Sequence, residues 1–373
     1  MVWTPPPLTG INVPRWEEVT SSNQEEEESA MQVTTFSVDL AKNKFQVHGF
    51  SAVGEKIVAK TLPRAKFLAF LSARSERCRV VMEACATSHH WARELRSAGF
   101  HPELLPAQHV AALVVGEKND ANDADAIYEA ASRPKIRRVA IKSEPQQDLL
   151  ALHRVRDRLV RSRTALINQI RGLLAERGVV FAPRTGTLKR ALPTWLQASS
   201  GPLKILTESL LEEWRLLDQR IGHLEIELKA HYRASPACQR IGAVEGIGVI
   251  TATAIIASVG DARTFHSGRQ FSAWIGLTPR ERSSGERRYL GGITKRGDAY
   301  LRKLLIHGAR AAVQAARRKD DARSRWINAL RQRRGMNKAV VALANKNARI
   351  LHALLSRGED YRPPARERLM ARS

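Results

Sequence analysis

From Gln32 to Pro134 short β-branched and apolar runs alternate with helical stretches, and from about Pro145 apolar residues recur instead at threes, fours and sevens. This change of period constrains the fold more than any other feature. Strands interleaved with helices close into a sheet covered by helices, whereas the later pattern specifies amphipathic helices. Val33 to Leu40, Phe45 to Phe50 and Lys56 to Thr61 read as strands, and Pro63 to Ser72 as a helix. A short buried strand from Arg79 ends at Glu83, a helix from His90 to Ala98 stops at Gly99, and a strand follows near His101 to Leu105. Asn122 to Ser132 is helical and closed by Pro134.

Two long helices follow, about Pro145 to Arg177 with Leu149, Leu152, Val155, Leu159, Leu166, Ile170 and Leu173, and about Leu203 to Tyr232 with Leu206, Leu210, Trp214, Leu217, Ile221, Leu224 and Leu228. Spacing alone allows an antiparallel hairpin within the chain or a coiled coil between subunits. Beyond Ser235 the chain reads as small-residue-rich helices, with strand character only around Arg288 to Leu290.

Charge indicates the partner. The chain carries 61 Lys+Arg against 37 Asp+Glu, a formal net charge of +24, the footprint of a protein that neutralises phosphates. Cys78, Cys85 and Cys238 show no metal-ligand spacing and read as reduced thiols of a cytoplasmic, nucleoid-associated protein. Neither a secretion signal nor an apolar run of about 20 residues is evident. Residues 1–30 differ from the rest: Pro5-Pro6-Pro7, one arginine and six glutamates make a leader expected to be disordered. Met31, directly before the first strand, reads as the natural start, or else the leader is an acidic tail shielding the basic surface.

The acids of the first part are sparse and oddly placed. Asp39 and Glu83 each close an apolar strand, and Asp120 and Asp123 stand three apart at a helix start, on one face. Four converging carboxylates repel one another unless a cation neutralises them, and oxygen-only ligands suit Mg²⁺ or Mn²⁺. Two such ions could activate a nucleophile and stabilise the leaving oxygen of a phosphodiester. Structural alternatives stand beside this: Asp120 or Asp123 as a helix N-cap, Asp39 as a turn residue, Glu83 as a solvated charge, and Asp125 as a rival fourth ligand.

Gly242 to Ala252 resembles a helix-hairpin-helix turn, in which glycines let backbone N–H groups approach a phosphate. Further on, Ser284 precedes Gly285 among Arg280, Arg282, Arg287, Arg288, Lys295 and Arg296. That field would bind a phosphate and lower the cost of an alkoxide at the serine. No His–Asp pair accompanies it. Ser283 is the alternative nucleophile, and the bland reading is an arginine-rich loop in which Ser284 only hydrogen-bonds a phosphate.

Asp39, Glu83, Asp120 and Asp123, then the long helices and the Trp-Ile-Gly-Leu-Thr-Pro, Ser-Ser-Gly and Ile-Thr-Lys-Arg-Gly-Asp blocks, occur in an order that resembles the DEDD insertion-sequence transposases related to the Piv DNA invertase, over about residues 32–356. The resemblance implies an α/β RuvC-like (RNase H-fold) domain over 31–143 that binds Mg²⁺ through those four acids. A helical coiled-coil region over 144–233, a mainly α transposase domain over 234–356 and a basic tail over 357–373 would follow. It further implies that Ser284 forms a covalent phosphoserine link to DNA, that a non-coding RNA of the element guides the choice of donor and target DNA, and that the protein is a dimer or tetramer. The competing functions are a hydrolytic structure-specific nuclease, which needs no serine, and a non-catalytic nucleic-acid-binding protein.

Overall fold

A computed structural model describes residues 32–73, 78–117, 119–285 and 287–363. The acidic leader, Met31 and the end of the basic tail lie outside the described residues. The chain divides into two compact units, one up to Ser143 and one from Glu144.

The first unit is a five-stranded sheet of β1 (Thr35–Leu40), β2 (Lys44–Phe50), β3 (Lys56–Pro63), β4 (Arg79–Glu83) and β5 (His101–Leu105), in the order β3-β2-β1-β4-β5. β1, β2 and β3 pair antiparallel, while β4 and β5 run parallel to β1. This mixed order is that of an RNase H/RuvC-like core. Alternation along each strand sorts the side chains. Phe36, Val38, Phe45, Val47, Val80 and Met82 pack with α1 (Phe67–Ser72) and α2 (Ser88–Ser97), through Phe67, Leu71, Trp91 and Leu95. On the opposite face, Val81 and Leu105 pack with Ala126, Ile127 and Ala130 of α3 (Asp120–Ser132). Burying each of these large apolar side chains stabilises the unit by about 1.5–3 kcal/mol.

In the second unit α4 (Glu144–Ala175) and α6 (Pro202–Ala234) lie antiparallel, with α5 (Thr185–Ala198) filling the gap. Arg156 pairs with Glu225 and Arg163 with Asp218, so position along one helix rises as it falls along the other. The apolar stripes meet within the chain through Leu159, Leu166, Ile170, Trp214, Leu217 and Ile221. Val155 and Leu206, expected in those stripes, are instead exposed. Their places over the core are taken by neighbours such as the buried His153 and Thr207.

A second helical core surrounds α8 (Val249–Val259), with α7 (Pro236–Gly242), α9 (Gly268–Ile275), α10 (Ala299–Ala315), α11 (Ala322–Arg334) and α12 (Met336–Arg357). The Gly242 to Ala252 segment joins α7 to the first turn of α8. A Cβ on Gly246 would come within 2.8 Å of the Gly308 carbonyl oxygen, so this glycine is needed for backbone contact with α10. Among the described residues no helix is long and apolar enough to cross a membrane, and all three cysteines are free.

Candidate active site

Asp39 is the next-to-last residue of β1 and Glu83 the last of β4. The register sets Val38 beside Met82, so Asp39 and Glu83 follow as neighbours at the carboxyl ends of adjacent parallel strands. By alternation both stand on the face that α3 covers. α3 begins with Asn119 as its N-cap, whose side chain accepts from the Asn122 N–H at 2.8 Å. Neither Asp120 nor Asp123 is the cap; both occupy the first turn with their carboxylates uncommitted to it.

The electrostatics join the four. The Asp39 carboxyl is pushed up to about 6, first by burial and then by the charges of Asp123, Asp120 and Glu83. Three acids whose charges reach Asp39 in this way share its neighbourhood. Among the described residues no three His, Cys, Asp or Glu are gathered as a ready metal cage. The donor set nonetheless fits a hard cation in kind, being all carboxylate oxygen.

Asp125, the rival fourth ligand, is engaged elsewhere. Its Oδ1 accepts from His48 Nδ1 at 2.7 Å, and Lys56 Nζ stands 2.9 Å from its Oδ2. Burial works to raise the Asp125 carboxyl, but the hydrogen bonds and charges of Lys56 and His48 hold it below the usual range. Sequence reasoning missed the polar row behind this. Gln46 registers opposite Asp39, and His48 opposite Ser37, so both face α3. Thr61 donates to Gln46 Oε1 at 2.6 Å, and Gln46 Nε2 donates to His48 Nε2 at 2.9 Å. The His48 Nδ1 proton is thereby aimed at Asp125. The period-2 pattern of β2, with Gln46 and His48 on one face, was the available signal.

The serine candidates lie in the second unit, on a ribbon the sequence hardly announced: β6 (Pro279–Ser284) and β7 (Arg287–Ile293), antiparallel and exposed. Gly285, at φ +58°, turns the chain directly after Ser284. Ser284 registers with Arg287, Ser283 with Arg288, and Arg282 with Tyr289. Ser284, Arg282 and Arg287 therefore share one face, and Ser283 stands on the other, donating to Glu281 Oε1 at 3.0 Å. Arg280, Lys295 and Arg296 are exposed near the ribbon's base. The side chain of Arg288 lies outside the described part of the structure.

The base of the ribbon explains the neighbouring motifs. Gly276 and Gly297 both have positive φ. A Cβ on Gly276 would overlap the Arg296 carbonyl oxygen, and one on Gly297 that of Trp274. Asp298 caps α10, accepting from the N–H groups of Tyr300 at 2.8 Å and Leu301 at 3.0 Å. Arg302 Nη1 donates to the Ile275 carbonyl at 2.9 Å. The Trp-Ile-Gly and Lys-Arg-Gly-Asp blocks thus clamp both ends of the ribbon to the helices.

Residues 238–325 match the model of the Transposase IS116/IS110/IS902 family, and residues 36–177 match a second transposase model, that of the IS110-type DEDD group. The chain is similar to a "Probable family 20 transposase" of Pseudomonas aeruginosa, with 49% identity covering 89% of this chain and 100% of the relative. It is 46% identical to the transposase for insertion sequence element IS1111A of Coxiella burnetii, over 90% of this chain and 93% of that one. Against the transposase for insertion sequence element IS1328 of Yersinia enterocolitica the identity is 37%, over 87% and 98% respectively.

Proposed function

This chain belongs to the IS116/IS110/IS902 family of transposases and is an enzyme of DNA transposition; we propose that it cuts and rejoins DNA through a carboxylate centre at Asp39, Glu83, Asp120 and Asp123 and a serine nucleophile at Ser284. The observation that carries the first half is geometric: Asp39 and Glu83 lie at the ends of adjacent parallel strands on the face covered by α3, whose first turn holds Asp120 and Asp123, and the raised Asp39 carboxyl agrees with it. A cation bound there, Mg²⁺ or Mn²⁺, would supply Lewis-acid stabilisation of the charge that develops on a phosphodiester. Asp39 and Glu83 would hold it from the sheet edge, Asp120 and Asp123 from the first turn of α3. Ordering the pair on a helix start costs little, because Asn119 already caps α3.

The second half rests on the sorting of the ribbon. Ser284 shares its face with Arg282 and Arg287, whereas Ser283 is hydrogen-bonded to a carboxylate that repels phosphate. In the proposed step Ser284 Oγ bonds to phosphorus and one phosphorus–deoxyribose oxygen bond breaks. The serine proton passes to solvent, and the leaving oxygen takes up one in return. The phosphoserine ester preserves the bond for rejoining, which explains a serine in an enzyme that must restore the strand. Donor and target DNA are the substrates in this reading, a non-coding RNA of the element is the guide, and a dimer or tetramer is the working form.

A denaturing gel of labelled element-end DNA tests it. Wild type and Ser283→Ala should retain a protein–DNA adduct, and Ser284→Ala should lose it together with strand exchange. Asp39→Asn should lose strand exchange while still binding DNA. Free cut ends without adduct in the active protein would instead indicate hydrolysis.

A further inference from the structure

The face of the ribbon that carries Ser284 has a fourth member. Tyr289 registers with Arg282, two residues along from the Ser284–Arg287 pair, so all four side chains stand on one side of the two-stranded sheet. The irregularity in the ladder lies between Pro279 and Glu281 and leaves this alternation intact. Tyr289 is 68% exposed, an unusual setting for an aromatic residue flanked by arginines on an exposed strand. Packing does not account for it, since every residue of β6 opposite is exposed as well.

Its surroundings select the occupant. Arg282 and Arg287 beside it are exposed cations, while Glu281 stands on the other face with Ser283 and Leu290. A planar ring among cations matches a polyanion with flat bases: phosphates go to the guanidinium groups and a base to the ring. Ser284 and Tyr289 are diagonal neighbours, with Cα atoms about 7–8 Å apart. That is about the span from a phosphate to the base on its own nucleotide. We propose that this face of the ribbon seats a DNA strand, with a base next to the phosphate at Ser284 stacked on Tyr289, so that Tyr289 is a positioning residue for strand attack. The inference rests on the reading of Ser284 given above and adds how the strand is aligned.

The test uses the full chain and an element-end DNA strand carrying 2-aminopurine at successive positions around the cut phosphate. Tyr289→Ala should weaken binding by about tenfold or more, the loss expected for one stacked base, and should abolish 2-aminopurine quenching at one position. Tyr289→Phe, which keeps the ring, should restore both. Because no charge is lost, the slope of log affinity against log salt should stay as in wild type for Tyr289→Ala, whereas Arg287→Ala should lower it by about one phosphate contact. The rate of adduct formation should fall in Tyr289→Ala even at saturating DNA. Wild-type affinity, quenching and adduct rate in Tyr289→Ala would overturn the inference. So would a loss confined to binding of the element's RNA. If the Ser284 reading alone is wrong, Ser284→Ala keeps its adduct or no protein forms one, while the quenching by Tyr289 is read independently.

Discussion

His48 Nδ1 donates to Asp125 Oδ1 at 2.7 Å, tying the middle of β2 to the second turn of α3. The bond fixes the helix whose first turn carries Asp120 and Asp123 against the strand next to Asp39. It also explains why Asp125, two residues from Asp123, is not equivalent to it.

Asp125→Ala should therefore destabilise the protein without removing cation binding. The cost should be about 1–3 kcal/mol, because His48 is buried and would be left with an unsatisfied N–H. Urea unfolding measures the first effect and Mg²⁺ titration calorimetry the second. Loss of the calorimetric signal with unchanged stability would make Asp125 a ligand after all.

The raised Asp39 carboxyl makes metal-free stability depend on pH. In the fold it holds its proton up to about 6, and in the unfolded chain only to about 3.8. Between those values the native state binds more protons, so stability falls as pH rises from about 4 to about 6 and then levels off. Asp39→Asn should remove that slope and raise the melting temperature of metal-free protein at neutral pH. Excess Mg²⁺ should raise the wild-type melting temperature and leave the variant nearly unchanged. A variant that melts lower than wild type under metal-free conditions would contradict this.

His153 has the opposite dependence. It is buried, with Nε2 3.0 Å from Thr253 Oγ1 and Nδ1 3.0 Å from the Tyr300 hydroxyl. Burial first, then the charges of Arg156 and His231, push its imidazole down to about 4. As pH falls from about 6.5 to about 4 only the unfolded chain takes up the proton, so stability declines over that window by at most about 3 kcal/mol. His153→Gln should flatten the curve. Urea midpoints measured across the window check it, and an unchanged slope in the variant would assign the dependence to other groups.

Gly276→Ala and Gly297→Ala should each cost more than about 2 kcal/mol, since each adds a methyl against a fixed carbonyl at a positive φ. Gly292→Ala has open space and should cost less than 1 kcal/mol or so by the same reasoning. Comparing soluble yield and melting temperature of the three decides whether the base of the ribbon is as rigid as its contacts imply.

Binding to nucleic acid should weaken by about 10³-fold or more between about 50 and 200 mM salt if six or more phosphates are contacted. Affinity measured by anisotropy over that range gives the slope directly, and a flat response would contradict phosphate-dominated binding.

The five strands of the sheet, the two long helices and the odd placement of Asp39, Glu83, Asp120 and Asp123 were legible in the sequence. Alternation, period and turn residues act over a few neighbouring positions and leave their mark there. The basic charge, and hence the class of partner, was equally plain, because charge is counted without knowing where it lies. Tertiary structure decided what depends on register between distant segments. It set Gln46 opposite Asp39 and gave His48 to Asp125. It paired β6 with β7 although neither strand has the buried alternating face that marks a strand in sequence. It also separated Ser284 from Ser283, which are equivalent as adjacent letters, because successive side chains of a paired strand point to opposite faces and only one of those faces carries Arg282, Arg287 and Tyr289.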